Sequence, residues 1–192
     1  DVAMILTRAN VARAVEALGL CEALGVRSLR FCTFVPTGRA VSEEIKQRFE
    51  VEPEALDRFF KLLRQVKAKK GAPVGVLIDH GIGPWNAQGS FRCDSGEAVV
   101  YITSEGDLYP CPGLIFGPFK VGNVYETPVA ELLRSSDLHR IRKIHRSEVA
   151  EPCGSCSNDR CSGGCRGAAY AITGDEKGAP VYCNVLRRSG LA

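Results

Sequence analysis

The sequence has almost no excess of charge, because 25 Lys and Arg residues stand against 22 Asp and Glu residues and leave a formal charge of +3. So small an excess argues against nucleic acid or a membrane surface as a partner. The sequence also lacks a hydrophobic run near the roughly 20 residues that a membrane-spanning helix needs. The first residues, Asp1-Val2-Ala3-Met4, do not form the basic start of a secretory signal. We therefore expect a cytoplasmic chain.

Cysteine, by contrast, is abundant, with 9 cysteines among 192 residues. In a chain without a secretory signal, cysteines at this density are more often metal ligands than disulfide partners. The odd total also argues against complete disulfide pairing. The remaining composition is that of an ordinary globular protein, with 45% hydrophobic and 24% charged residues. The length suits one large domain or two small ones.

The first lobe, residues 1–82, alternates between strand and helix patterns of the α/β class. The strand predicted over 28–35 has apolar residues on both parities, so we expect it to be buried on both faces, with Cys32 and the helical Cys21 in the core. Three strands and two helices cannot close a barrel, so we interpret the lobe as the tail end of a larger α/β domain. The predicted strands cover 2–6, 28–35 and 74–78, and the predicted helices cover 10–24, with Asn10 as N-cap, and 53–69.

The second lobe, residues 90–192, has a different pattern and follows a Gly-rich junction over 80–96. A hairpin is predicted over 99–110, with its turn at Ser104-Glu105-Gly106-Asp107. Two short amphipathic helices are predicted over 128–134 and 138–145. Beyond Glu151 there is too little apolar sequence for independent folding, so something other than a hydrophobic core must organise this segment.

Seven cysteines of the second lobe form the main chemical signal. Four of them follow the spacing C-x2-C-x4-C-x3-C, which allows one loop to wrap thiolates around a metal centre, and the intervening glycines allow the backbone to curl. The spacing does not choose between tetrahedral zinc and an iron-sulfur cluster, because both accept four thiolates. The seven are Cys93 and Cys111 on either side of the hairpin, the run Cys153, Cys156, Cys161 and Cys165, and the distant Cys183.

These motifs together resemble the SPASM domain, the C-terminal extension of many radical S-adenosylmethionine enzymes, which carries two auxiliary [4Fe-4S] clusters. The first lobe resembles the last strands of the partial (β/α)6 barrel of the same enzymes. This resemblance implies that Val35 and Pro36 lie near S-adenosylmethionine. The motifs are Tyr101-Ile102-Thr103, Gly106-Asp107-Leu108-Tyr109-Pro110-Cys111, Gly122-Asn123-Val124-Tyr125-Glu126 and Cys161-Ser-Gly-Gly-Cys165-Arg166, with Thr7-Arg8-Ala9-Asn10, Leu29-Arg30-Phe31 and Pro36-Thr37-Gly38-Arg39-Ala40 in the first lobe.

The resemblance also implies a division of the cysteines between two clusters. Cys93, Cys111 and Cys165 would hold the first cluster, and Cys153, Cys156, Cys161 and Cys183 would hold the second. The first cluster is then one ligand short. Its fourth position would be open to water or substrate, or would be taken by Asp94 or His80. Five basic residues between 134 and 146 are interpreted as an exposed helix face, with compensation of cluster charge as the alternative.

The sequence departs from the family at its catalytic centre, since it contains no C-x3-C-x2-C triplet for the cluster that cleaves S-adenosylmethionine. We therefore expect a C-terminal portion of a radical enzyme, and a chain that has lost the chemistry is the alternative. The complete enzyme would use a 5′-deoxyadenosyl radical on a peptide, tetrapyrrole-like or other small substrate, with an electron donor such as a flavodoxin or ferredoxin. Two other classes stay open: a non-catalytic iron-sulfur electron-transfer or substrate-binding module, and a zinc-stapled interaction domain.

Overall fold

The computed structural model describes residues 1–70, 74–78, 93–157 and 161–179, without the side chains of residues 69 and 70. It has a mixed α/β fold, and the predicted junction over 80–96 falls mostly outside the described residues. The first lobe contains a parallel sheet in the order β1 (Val2–Leu6), β2 (Ser28–Thr33), β3 (Gly75–Ile78). Met4 lies opposite Phe31, and Phe31 lies opposite Ile78. The three predicted strands are confirmed, with β2 ending two residues earlier than expected.

Two helices, α1 (Ala17–Ala23) and α3 (Pro53–Lys70), pack on one face of this sheet. A further helix, α2 (Glu43–Phe49), was not predicted and has no buried residue. One face of α3 carries a stripe of apolar residues that packs on the sheet. Phe59 of this stripe lies edge-on to Phe31 at a centroid distance of 5.0 Å. Burying an aromatic side chain of this size contributes about 2–3 kcal/mol, so this contact anchors the helix. The buried residues of the stripe are Leu56, Phe59, Phe60 and Leu63.

The opposite face of the sheet is left largely uncovered by the described residues. Leu29 and Phe31 of β2 are fully buried on the helix side, whereas Arg30 is exposed and Cys32 is half-buried on the other side. Ile5 of β1 is likewise 56% exposed. The expectation that β2 is buried on both faces, with Cys32 in the core, is therefore wrong for the described residues, because α1 and α3 pack on the side of Leu29 and Phe31. Cys21 is buried, as expected.

Asn10 has a different role from the predicted helix cap. Its side chain accepts a hydrogen bond from the Thr7 amide at 2.8 Å and donates one to the Ile5 carbonyl at 2.9 Å. These bonds close the turn that follows β1, and the chain reaches α1 only after a 3₁₀ turn over Ala14–Glu16. The C-terminal end of the helix is as expected, since α1 ends at Ala23 and Gly25 follows with a φ of +65°.

The second lobe is organised around a three-stranded antiparallel sheet in the order β4 (Tyr101–Ile102), β5 (Asp107–Tyr109), β6 (Gly122–Asn123). The hairpin was predicted and β6 was not. Asn123 fixes β6 through its side-chain amide, which donates to the Glu105 carbonyl and to the Asp107 carboxylate, both at 2.8 Å. At the turn, Gly106 has a φ of +87°, which favours glycine.

The described part of the second lobe also contains two α-helices, α4 (Val129–Leu132) and α5 (Arg166–Thr173). The helix predicted over 138–145 is wrong, because this segment contains only turns and a 3₁₀ helix over Ile141–Lys143. Tyr170 of α5 packs edge-on against Phe119, with the ring centroids 4.7 Å apart. Through this apolar cluster, which includes Tyr109 of β5, the segment after Glu151, here called the tail, contacts the sheet. Among the described residues, none of the helices has both the length and the apolar character required to cross a bilayer.

Candidate metal centre

The fold brings together Cys93, Cys111 and Cys165, although 54 positions separate the last two in the sequence. Cys111 lies two residues after the end of β5, and Cys165 is the N-cap of α5. The three thiols lie close enough to act on one another electrostatically. Cys93 and Cys111 also pack against the same apolar cluster, which contains Tyr109, Leu114 and Phe119.

A contact between two glycine backbones sets the approach of Cys111 and Cys165. A Cβ atom placed on Gly167, in the first turn of α5, would lie 2.6 Å from the Gly113 carbonyl oxygen and 2.8 Å from its carbon. Only glycine at position 167 permits this separation. A Cβ on Gly113 would in turn lie 3.6 Å from the Gly167 Cα and 3.7 Å from the Cys111 sulfur. The start of α5 is therefore pressed directly onto the loop that carries Cys111.

The surroundings of these thiols combine burial with hydrogen-bond donors. Burial raises the pKa of Cys165 to about 11, although the Ala168 amide donates to its sulfur at 3.4 Å. Burial also raises the pKa of Cys111, while the hydroxyl of Ser95 and the amides of Gly113 and Leu114 act in the opposite direction by stabilising the thiolate. Without a metal, both groups are therefore held as neutral thiols at neutral pH, with donors already placed for a sulfur that carries negative charge.

The remaining cysteines of the tail form a second group. Cys153 is buried, and Cys156 and Cys161 are half-buried. A backbone hydrogen bond of 3.2 Å from the Cys156 amide to the Cys153 carbonyl closes a tight turn between the first two. Cys183, the predicted fourth member, lies outside the described residues. No three His, Cys, Asp or Glu side chains in the described part of the chain converge on a single point as ligands of one ion would.

Arg166 is a buried charged residue at this site for which the sequence had suggested no role. It is 2% exposed, and its guanidinium donates to the carbonyls of Gly163, Gly164, Glu176 and Gly178. Burial lowers the pKa of Arg166, and the neighbouring thiols of Cys153, Cys93, Cys165 and Cys161 act in the opposite direction. The only signal in the sequence was its position immediately after a predicted ligand.

The other predicted site residues are placed as follows. Asp94 is exposed next to Cys93, in a turn where its backbone carbonyl accepts from the amides of Glu97, Ala98 and Val99. His80 lies outside the described residues. Val35 is half-buried and Pro36 is buried, and both follow the carboxyl end of β2. Val35 and Pro36 thus belong to the first lobe, whereas the candidate cysteine ligands belong to the second.

A cavity of about 500 Å³ adjoins the cysteines of this site. Cys93 and the buried Arg166 form part of its wall, together with Ser162, whose hydroxyl accepts a hydrogen bond from the Cys93 amide at 3.2 Å. The outer wall includes Arg142, which lies 3.6 Å from the Glu97 carboxylate. A small molecule or a peptide side chain thus has room to approach Cys93.

The donor set of this site fits an iron-sulfur cluster. The structure supplies neighbouring thiols, backbone amides directed at sulfur and one buried hydroxyl, Ser95 Oγ, that has no regular hydrogen-bond partner among the described residues. Thiolates on a cluster bind different iron atoms and need not meet at one point, unlike the ligands of a single tetrahedral zinc ion. A buried cation beside the thiols is also suited to a group of negative charge.

Comparison with known proteins agrees with this site. Residues 93–157 match the SPASM family, described as an iron-sulfur cluster-binding domain. The chain is 28% identical to the AdoMet-dependent heme synthase of Nitratidesulfovibrio vulgaris over 95% of this chain and 53% of that protein. It is 28% identical to the mycofactocin maturase MftC of Mycobacterium tuberculosis over 88% of this chain and 43% of that protein.

A solved structure shares the fold. The structure of native anSMEcpe with bound AdoMet and the Cp18Cys peptide aligns with a TM-score of 0.65 at 19% identity, over 97% of this chain and 54% of that one. The match of residues 93–157 falls on the part of the chain that carries Cys93, Cys111, Cys153 and Cys156. The resemblance of the chain to radical S-adenosylmethionine enzymes with a SPASM domain is confirmed. The chain spans about half the length of the curated relatives it matches.

Proposed function

We propose that this chain forms the end of the partial (β/α)6 barrel and the SPASM domain of a radical S-adenosylmethionine enzyme, with the boundaries 1–82 and 90–192. The arrangement of the first lobe supports the barrel. Helices α1 and α3 pack on one face of a parallel sheet, and the other face, with Ile5, Arg30 and Cys32, is largely open among the described residues, as the interior wall of a barrel would be. We also propose that a further strand pairs with the free edge of β1 in the whole protein.

The SPASM domain would hold two [4Fe-4S] clusters. Cys93, Cys111 and Cys165 would bind the first, and Cys153, Cys156, Cys161 and Cys183 the second. The observation that carries this assignment is the approach of Cys165 to Cys93 and Cys111 across the Gly113–Gly167 contact. Under this assignment the tail provides ligands to both clusters, because Cys165 binds the first cluster and the other tail cysteines bind the second. The first cluster would therefore link the tail to the hairpin.

The first cluster would lack a fourth cysteine ligand. The cavity of about 500 Å³ beside Cys93 gives substrate or water a route to that position. Asp94 and His80 are the protein alternatives, and Asp94 would need to turn inward from its exposed position. We favour an open position, because the cavity already reaches Cys93.

In the whole protein, S-adenosylmethionine would lie near Val35 and Pro36 at the carboxyl edge of the sheet, where parallel α/β folds place their active sites. It supplies the radical chemistry when bound. Peptides are the substrate class we propose, because a solved relative holds a peptide together with AdoMet. The chain's own contribution would be to set cluster potentials through burial and hydrogen bonds to sulfur, and to position substrate. An electron donor such as a flavodoxin or ferredoxin would serve the clusters.

Anaerobic reconstitution followed by iron, sulfide and zinc analysis tests the cluster assignment. We expect about eight iron atoms per chain in the unmodified protein, and about four in both Cys111→Ser and Cys153→Ser, each of which removes one ligand from a different cluster. Cys32→Ala is the control, because Cys32 lies in β2 outside both groups, and it should retain about eight. Zinc without sulfide would instead support a zinc-stapled domain and contradict the proposal.

The position of the chain within its natural reading frame tests the enzyme assignment separately. An upstream C-x3-C-x2-C triplet in the same reading frame would support a radical enzyme. A natural start near Asp1 would contradict it and favour a non-catalytic electron-transfer or substrate-binding module.

A further inference from the structure

Arg166 is a buried cation that faces no carboxylate in the part of the chain that the structure describes. Its four hydrogen-bond partners among these residues are all backbone carbonyls, which are dipoles without net charge. By contrast, Arg140 and Arg142, which are roughly two-fifths exposed, both reach carboxylates. Removing an ion from water costs several kcal/mol unless an opposite charge compensates it. A negative group near Arg166 would offset this cost.

The groups that surround Arg166 are cysteines from both proposed clusters. Cys93 and Cys165 belong to the first set and Cys153 and Cys161 to the second, and all four lie close enough to act on its charge. Cys93 and Arg166 also share the wall of one cavity. An oxidised [4Fe-4S] core carries a charge of about +2, so the four thiolates of the second cluster bring that group to about −2 and the three thiolates of the first bring that group to about −1. Neutral thiols would provide no such charge.

We propose that Arg166 is a positioning residue whose charge is shared by the two clusters. This inference rests on the proposed two-cluster function. Its guanidinium holds the carbonyls of Gly163 and Gly164, in the turn between Cys161 and Cys165, and its charge favours the reduced state of both centres. Reduction adds one negative charge to a cluster, and a buried cation stabilises that added charge more strongly than a solvated cation does.

The backbone around Arg166 is fixed on its far side as well. The turn that presents the Glu176 and Gly178 carbonyls is held by two surface ion pairs, Lys177 with Glu148 at 2.6 Å and Arg140 with Glu176 at 2.7 Å. The Ala150 amide also donates to the Lys177 carbonyl at 2.8 Å. Backbone carbonyls on two sides therefore hold the Arg166 guanidinium, so its charge has a defined position relative to the cysteines.

Redox titration of the anaerobically reconstituted protein, followed by electron paramagnetic resonance of each cluster, tests the role of the charge. Arg166→Met removes the charge and keeps a long side chain, and Arg166→Lys keeps the charge without the planar guanidinium. Arg142→Met is the matched control, because Arg142 lines the same cavity but is partly solvated. Iron and sulfide content are measured in every sample.

We expect Arg166→Met to lower the ratio of reduced to oxidised cluster at a fixed potential by about tenfold at both centres, which corresponds to about 59 mV for one electron. Arg166→Lys and Arg142→Met should stay near the unmodified protein. Unchanged potentials in an Arg166→Met protein that keeps both clusters would overturn the proposal, as would a change at only one centre.

If Arg166→Met does not retain iron, Arg166→Lys decides the outcome. Retention of both clusters with unchanged potentials in the lysine variant supports the role of the charge. Loss of the clusters there too would mean that the hydrogen-bonding geometry alone matters, and would overturn it. Absence of iron and sulfide from the unmodified protein would instead reject the two-cluster function itself, before any variant is compared.

Discussion

Adding one methyl group at the contact between Gly113 and Gly167 tests whether this contact holds Cys165 next to Cys111. In Gly167→Ala the new Cβ would lie 2.6 Å and 2.8 Å from the carbonyl oxygen and carbon of Gly113. Both atoms belong to backbone, so a side-chain rotation cannot relieve the overlap. To restore ordinary contact, α5 must move away from the Cys111 loop by about 0.8 Å. That movement separates Cys165 from Cys111.

Two opposing effects determine the size of the change. Alanine favours a helix over glycine by about 1 kcal/mol, which would stabilise the variant. Forcing a methyl group into a closely packed contact costs about 1–3 kcal/mol. Because the contact is with backbone, we expect the packing cost to be near its upper end and the net loss to be about 1–2 kcal/mol. Gly19→Ala in α1 is the matched control, because its Cβ would have no neighbour within 4 Å.

Urea unfolding of the metal-free protein measures the stability change, and iron analysis after reconstitution measures the effect on the site. We expect Gly19→Ala to be as stable as the unmodified protein or up to about 1 kcal/mol more stable, with full iron content. Gly167→Ala should be less stable and should lose about half of its iron, through the first cluster. Equal stability of the two variants together with full iron in both would refute the reasoning.

Two further predictions concern other cysteines of the site. Cys156→Ala should remove iron and also expose residues 150–179 to protease in the reconstituted protein, because cluster binding organises a segment with little core, and unchanged protease resistance would contradict this. In the metal-free protein, the folded state keeps a proton on Cys165 up to a pKa of about 11, whereas an unfolded cysteine loses it near pH 9. The contribution of Cys165 to the free energy of unfolding should therefore be constant below about pH 9 and fall by up to about 3 kcal/mol towards pH 11. Cys165→Ala should show a smaller decrease than the unmodified protein, because only the part from Cys111, whose pKa burial also raises, would remain.

Regular patterns in the sequence predicted the first lobe well. The apolar stripe of α3 and the three strand runs are local signals, and the structure confirms them. The exposed face of β2 could not be predicted, because the run from Leu29 to Phe34 does not show on which side the helices pack. Asn10 was assigned to the wrong partner, since its side chain can cap a helix or close a turn with equal ease.

The structure of the second lobe was harder to predict than that of the first. Spacing indicated its cysteines as candidate ligands, but the approach of Cys165 to Cys111 depends on a contact between Gly113 and Gly167 that no periodicity reveals. Helix α5 was missed because it is eight residues long and follows a glycine-rich turn. The burial of Arg166 was equally invisible, since an arginine is normally exposed. The ligand assignment itself stays a prediction until iron is counted.

The division of the tail cysteines between the two clusters has a consequence for biosynthesis. Cys93 and Cys111 leave the ribosome well before Cys165, which in turn precedes Cys183, and under the proposed assignment both binding sites stay incomplete until the tail has emerged. Insertion of both clusters would then follow synthesis of Cys183. The hairpin, whose two strands are neighbours in the sequence, would form before the residues beyond it emerge.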